Sequence, residues 1–269
     1  MTDNDRGQVA TAAAQIYEEF FVPALFGAWP ETILDAAEVG PGHHVLDVAC
    51  GTGVLAREAL ARVGTIGRVV GLDPNEGMLG VAREKESAID WRKGVAEAIP
   101  FETDVFDRVV SQFGMMFFTN PKGAIEEMAR VMTPGGTMAL AVWSSLEDTP
   151  GYAAMVQLLD DIVGREAADA LSAPYVMGNP EALEALVAHV FPDVTVTRHE
   201  GIARFDSIDA WVHTDIRGWT LSEMIDDEQY AALLAEARRR LGRFTDETGC
   251  VTFSAPALVA TAGSLMQFP

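Results

Sequence analysis

Val45-Leu46-Asp47-Val48-Ala49-Cys50-Gly51-Thr52-Gly53 decides how this chain is read, together with Gly71-Leu72-Asp73-Pro74 further on. The first stretch is an apolar run that enters a glycine loop and then a helical pattern. The second is another apolar run that ends in an acid. A strand, a glycine turn and a helix, followed by a second strand closed by a carboxylate, describe a pocket for a nucleoside. The acid accepts hydrogen bonds from both ribose hydroxyls.

The local physics supports each part. His44 to Val48 is short and apolar, as suits a strand covered on both faces. Gly51 and Gly53 permit a tight turn and let backbone approach a ligand with no Cβ in the way. Val54 to Arg62 has helical spacing, and Arg68 to Leu72 is a second strand. Gly51 to Ala56 also fits the loose dinucleotide pattern G-x-G-x-x-G/A, a weak signal by itself. Asp47 argues against it, because a carboxylate in the loop approach repels a pyrophosphate and attracts a cation. S-adenosylmethionine carries an ammonium and a sulfonium and no phosphate, so an acidic loop suits it better than NAD.

Four further segments extend the pattern. They are Gly94-Val95-Ala96-Glu97-Ala98-Ile99-Pro100-Phe101, Phe106-Asp107-Arg108-Val109-Val110-Ser111, Arg130-Val131-Met132-Thr133-Pro134-Gly135-Gly136, and the continuation of the second strand into Asn75-Glu76-Gly77-Met78-Leu79. With the opening stretch, this ordered set across residues 45–143 resembles the class I S-adenosylmethionine-dependent methyltransferases. The closest likeness is to the small-molecule group related to the ubiquinone and menaquinone C-methyltransferases. The resemblance implies an α/β fold: a doubly wound, mostly parallel seven-stranded sheet of Rossmann-like type, here with helical cap insertions. It implies S-adenosylmethionine as cofactor and S-adenosylhomocysteine as product.

It also assigns residues. Asp47 and the loop Ala49, Cys50, Gly51, Thr52 and Gly53 line the methionine part. Asp73 binds the ribose. Pro74 and Met78 pack beside the adenine, and the backbone of Ala96 faces its edge. Ser111, Gln112 and Phe113 leave the fourth strand where the sulfonium lies. Val95 departs from the family, which often has Asp or Asn there to read the adenine amino group. A valine only packs, so Glu97 or backbone groups take over that role or recognition is looser. Tyr17 falls where many relatives cap the cofactor; a packed interior tyrosine is the alternative.

Composition bounds the rest. The chain has 269 residues, 49% of them hydrophobic, enough for a sizeable core. No apolar run approaches the roughly 20 residues of a membrane span. The start, Met1 to Arg6, is polar and acidic, unlike a secretory signal. Cys50 and Cys250 form neither a disulfide framework nor a metal pattern, so a cytoplasmic setting is expected. Beside the loop, Cys50 reads as a small filler rather than a reactive thiol, with nothing basic adjacent. With 40 acids against 19 bases, the net charge of −21 disfavours partners that need phosphate neutralisation. The basic run at Arg238 to Arg243 reads as a solvated helix face. The partner expected is a small-molecule acceptor and not a nucleic acid, while a homodimer stays open.

The chain divides into regions. Residues 1–40 read as an aromatic-rich N-terminal helical cap broken by Pro23 and Pro30, and 41–143 as the cofactor-binding core. A helical insertion follows at 144–178. Core resumes at 179–205, with a helix from Asn179 to Val190 and a strand from Val194 to Arg198. A second helical insertion spans 206–249. Residues 250–269 hold the last strand, Val251 to Ala262, bulged at Pro256. The insertions carry Tyr152, Met155, Tyr175, Met177, Trp211, Trp219 and Met224, and Met115 to Phe118 follow the fourth strand. Singly, each of these reads as core packing; together they suggest a cover over an apolar or aromatic acceptor.

Methyl transfer of this kind is an in-line displacement, in which the protein supplies position and excludes water. A base is needed only for a hydroxyl or a weakly acidic carbon. Of five histidines, only His213 falls in a segment expected over the pocket, so it is the candidate catalytic residue. Asp215, two residues on, does not share its helix face. Two other readings remain: a methyltransferase acting on RNA or protein, disfavoured by charge, and an NAD-type nucleotide binder, disfavoured by Asp47.

Overall fold

The structure is a computed structural model and describes residues 11–218 and 220–263. The chain opens with α1 (Thr11–Ile16), which runs into a wider π-helical segment, Tyr17–Phe26, and then α2 (Pro30–Ala36). Alternation begins with β1 (His44–Val48), α3 (Val54–Val63), β2 (Arg68–Asp73), α4 (Glu76–Lys85), β3 (Asp90–Lys93), β4 (Phe106–Gln112), α5 (Pro121–Val131) and β5 (Met132–Trp143). The first insertion folds as α6 (Pro150–Ile162) and α7 (Arg165–Ser172). Then come α8 (Pro180–Ala188), β6 (Thr195–His199), β7 (Ile202–Phe205), α9 (Ile208–Arg217), α10 (Asp227–Arg240), β8 (Val251–Ser254) and β9 (Ala257–Gly263).

Local chemistry sets the helix starts. Asn75 caps α4, its side chain accepting from the Gly77 and Met78 amides at 2.8 and 3.1 Å. Asn179 caps α8 in the same way, with Pro180 in the first turn. Asp226 and Gln229 form a reciprocal capping box at the start of α10.

The main sheet has seven strands in the order β3-β2-β1-β4-β5-β9-β6. All run parallel except β9, which is antiparallel to both neighbours. This is the doubly wound, mostly parallel sheet the resemblance implied. Both faces are covered. Val45 and Val69 pack with Leu34, Leu55 and Leu79 on one side, and Leu46, Val70 and Leu72 with Ile125, Met128 and Leu183 on the other. The chain winds outward from β1 in one direction and from β4 in the other. A crevice therefore opens beyond the carboxyl ends of β1 and β4, the switch point where doubly wound sheets hold ligands.

Three elements differ from the sequence reading. The expected last strand is two strands in two sheets. β8 pairs with β7, which the sequence reading missed, and β9 enters the main sheet after a break at Ala255-Pro256. Proline has no amide to give a ladder, so the chain changes partners there. The Thr133–Gly136 segment, which reads as a turn before the fifth strand at about 137–143, lies inside β5 as a bulge: Phe106 faces Met132 while Arg108 faces Thr137. Gly136 allows it, since a Cβ there would come within 3.0 Å of the Asp107 carbonyl. Pro23 does not interrupt the N-terminal helices; the wider π turn absorbs it, and Gly27 N bonds Val22 O at 2.7 Å.

Candidate cofactor and acceptor site

The glycine loop folds against Asp73. Its Oδ2 accepts from the Gly51 amide at 2.9 Å and its Oδ1 from the Asn75 amide at 2.8 Å. Burial pushes the Asp73 carboxyl up to about 6, with these two amides pulling it part of the way back. Gly51 and Gly53 both adopt positive φ, +55° and +86°. Gly53 serves packing as much as the turn: a Cβ there would meet the Trp91 indole at 2.3 Å. Gly71 faces the same indole, and the buried Cys50 lies beside it. Burial, then the nearby Asp73 and Asp47 charges, push the Cys50 thiol well up, which fits a filler rather than a nucleophile.

Asp47 is the anomaly of the loop. It is 1% exposed, and neither carboxylate oxygen has a hydrogen-bond partner. Burial holds its carboxyl well above the usual carboxylate range; the Ala56 amide pulls it part of the way back, and the Asp73 charge adds to the rise. Around it, Thr52 Oγ1, Ser111 Oγ and Gln112 Oε1 are also buried without partners. Buried polar groups are normally satisfied, so a cluster of orphans at one crevice marks where a polar ligand belongs. Ala49 and Phe113, at the ends of β1 and β4, hold φ of +58° and +54°. Strain of this kind in non-glycine residues gathers at functional sites.

The N-terminal helices roof the loop. Tyr17 packs with Ala14, Met78 and Val81, and its ring comes within 4.0 Å of where a Gly51 Cβ would stand. Burial and then the Asp73 charge push its hydroxyl up. Arg57 ties roof to loop, donating to the Thr52 carbonyl at 2.6 Å and to Glu18 at 2.9 Å. Lys85 adds a second cation 3.7 Å from Glu18. Next to Tyr17 an aromatic stack begins. Phe26 stacks on Tyr17 at 5.1 Å, Phe113 on Trp143 at 3.8 Å, and Trp29 stands edge-on to that pair. Gln112 Nε2 donates to the Phe26 carbonyl at 3.1 Å, joining roof to β4.

The structure thus gathers Tyr17, Asp47, Ala49, Cys50, Gly51, Thr52, Gly53, Asp73, Met78, Ser111, Gln112 and Phe113 at one edge of the sheet, with Pro74 between Asp73 and the cap of α4. Val95 is 44% exposed and Ala96 buried. Glu97 accepts from the Asn120 amide at 3.1 Å, so one of its oxygens is engaged at the start of α5. His213 is not part of the gathering. It is exposed on α9 with its ring edge-on to Phe20. Asp215 lies on the opposite, buried face of that helix and bonds the Tyr152 hydroxyl at 3.0 Å. Sequence reasoning set Asp215 aside because it does not share the His213 face, and it missed the Arg57–Glu18 link. The available signal for Asp215 was an acid inside the apolar stripe Trp211, Val212, Ile216. Of the proposed cover, Tyr152, Met155, Trp211 and Met115 are buried, Tyr175, Met177 and Met224 half-buried, and Trp219 lies outside the described residues.

Comparison with known proteins agrees with this geometry. Residues 45–136 match the family described as a methyltransferase domain. A demethylmenaquinone methyltransferase of Renibacterium salmoninarum is 41% identical over 116 residues, covering 43% of this chain and 48% of that protein. A ubiquinone/menaquinone biosynthesis C-methyltransferase of Xanthomonas oryzae pv. oryzae is 36% identical over 149 residues, covering 52% and 59%. The chain spans about half the length of the curated relatives it matches. Phosphoethanolamine N-methyltransferase 2 of Haemonchus contortus shares the fold, with a TM-score of 0.61 at 18% identity over 98% of this chain and 60% of that one. Residues 45–136 thus match a methyltransferase domain, and the sheet built around them has the fold of the Haemonchus enzyme.

Proposed function

We propose that this chain transfers a methyl group from S-adenosylmethionine to a small apolar, aromatic acceptor by in-line displacement. The observation that carries the reading is Asp47, a buried carboxylate at the glycine loop with both oxygens unpartnered. A buried unpaired acid calls for a cation. Asp73 and Glu18 add to the negative field. Arg57, which touches the loop, is already engaged by Glu18 and the Thr52 carbonyl. A pyrophosphate has no partner in that arrangement; an ammonium and a sulfonium do.

The residues present fit the donor. Asp47 and Thr52 would hold its amino-acid end, Asp73 its ribose, and Pro74, Met78, Val95 and the Ala96 backbone its adenine, with Tyr17 closing over the top. Ser111, Gln112 and Phe113 would border the reacting carbon. When bound, the donor supplies a methyl group already activated by its positive sulfur. The chain's own work is to align that carbon with the acceptor and to keep water out, which the roof and the aromatic stack do. The stack and the cover support an apolar ring acceptor. So do the relatives, named for demethylmenaquinone and for ubiquinone and menaquinone biosynthesis. The two cysteines are unpaired and suit a reducing cytoplasm. Among the described residues no helix is long and apolar enough to cross a membrane.

A thermal-shift panel with S-adenosylmethionine, S-adenosylhomocysteine, NAD and NADP tests the donor; stabilisation by the first two alone is expected. A labelled-methyl assay against quinols, naphthols and RNA tests the acceptor. Label entering RNA alone would overturn the small-molecule reading.

A further inference from the structure

α9 buries an acid. Trp211, Val212, Asp215 and Ile216 recur at helical spacing and are all buried, Asp215 at 0% exposure. A carboxylate in such a stripe must be neutral, paired or functional. Its Oδ1 accepts the Tyr152 hydroxyl of α6; the Trp211 indole N–H, one turn back, faces the same carboxyl, and neither that N–H nor Oδ2 has a full hydrogen-bond partner. The ionisable groups that feel its charge are Tyr152 and Tyr175, whose hydroxyls are pushed up by burial and then by Asp215 itself.

Its position is in the cover, on the helix whose end meets the roof. The end of α9 lies against the roof: a Cβ on Gly218 would come within 2.8 Å of Phe21 and 2.9 Å of Ile16. Opposite, the Tyr175 turn packs on β5 and on the Met115–Phe117 turn that follows β4. Tyr175 and Tyr152 have ring centroids 5.7 Å apart. Asp215 therefore sits in the cover between the roof and the Tyr175 turn, which packs on the turn after β4.

We propose that Asp215 is the base for the acceptor, taking the hydroxyl proton of a phenol- or enol-type molecule at Oδ2, while Tyr152 positions the carboxylate through Oδ1. This rests on the methyltransferase reading and names its acceptor class. The acceptor O–H bond breaks and the proton passes to Oδ2. The electron pair left on the acceptor oxygen, or on the ring carbon conjugated with it, forms the new bond to the methyl carbon. The carbon–sulfur bond breaks and its pair stays on sulfur. A ring-methylated ketone then tautomerises to the phenol, and Asp215 releases one proton to solvent.

The test compares wild type, Asp215→Asn and Tyr152→Phe in three ways. Calorimetry gives S-adenosylmethionine affinity. Turnover is measured at pH 8 with 2-naphthol, still largely protonated there, and with 4-nitrophenol, which is largely ionised. Thermal unfolding is followed against pH. All three proteins should bind the donor within about twofold. Asp215→Asn should lose about 100-fold on 2-naphthol and less than about tenfold on 4-nitrophenol. Tyr152→Phe should lower turnover on 2-naphthol more than on 4-nitrophenol and shift the midpoint of the pH–rate curve. The Asn variant should also lose the part of the wild type's decline in stability between about pH 4 and pH 8 that the buried Asp215 gives it. Equal activity of the Asn variant on both phenols, equal loss on both, or a wild type that binds donor and methylates neither phenol would overturn the proposal. A wild type that does not bind donor would overturn the methyltransferase reading instead.

Discussion

Asp47 makes the donor pocket pH-sensitive in a definite direction. Burial holds it protonated well above the usual carboxylate range. A bound cation favours its ionised form, so donor binding releases a proton, and affinity rises with pH until Asp47 ionises in the free protein. Calorimetry in two buffers of different ionisation enthalpy should show that release, and Asp47→Asn should abolish it while weakening binding about 30-fold or more. Gly53 gives a second residue-scale expectation. Gly53→Ala places a Cβ at φ +86° and 2.3 Å from Trp91, which should cost at least about 2 kcal/mol in denaturant unfolding. The loop residues were legible in the sequence because glycine and acid spacing encode backbone geometry locally. Trp91 under Gly53 was not, since it reaches the loop from another strand. His213 was chosen by residue type and by the segment it lies in, and helix phase turns it to the surface while turning Asp215 inward.

At the scale of elements, the roof is held by few polar links. Arg57 joins Glu18 of the π segment to the Thr52 carbonyl. Arg57→Gln should leave global stability within about 1 kcal/mol, as partly exposed pairs do. It should also raise hydrogen exchange across residues 11–26 and speed donor release in stopped-flow. Unchanged exchange and release would show that Ala14, Tyr17 and Met78 hold the roof alone. The strands and helices of the βα repeat were readable because each carries its own period, and the Asn179–Pro180 start of α8 its own cap. The β7–β8 pair was not, because its partners lie far apart in sequence around the second insertion. Continuous apolar character from Val251 to Ala262 also conceals the change of sheet at Pro256.

For the whole molecule, the buried acids set how stability follows pH. Asp73 is pushed up to about 6 and Asp215 up to about 8. Each keeps a proton in the folded chain that the unfolded chain has released above its ordinary pKa of about 4. The folded state thus binds more protons over that range, and stability falls as pH rises from about 4 to about 8. Thermal unfolding of the ligand-free protein should show this decline, and Asp215→Asn should flatten its upper part. The net charge of −21 predicts no salt-sensitive binding to RNA in a filter assay. Isothermal titration of the wild-type chain with S-adenosylmethionine, S-adenosylhomocysteine and NAD tests the central claim most directly. Saturable heat with both thioether nucleosides and none with NAD is the predicted result. Saturation by NAD with silence from the other two would contradict it.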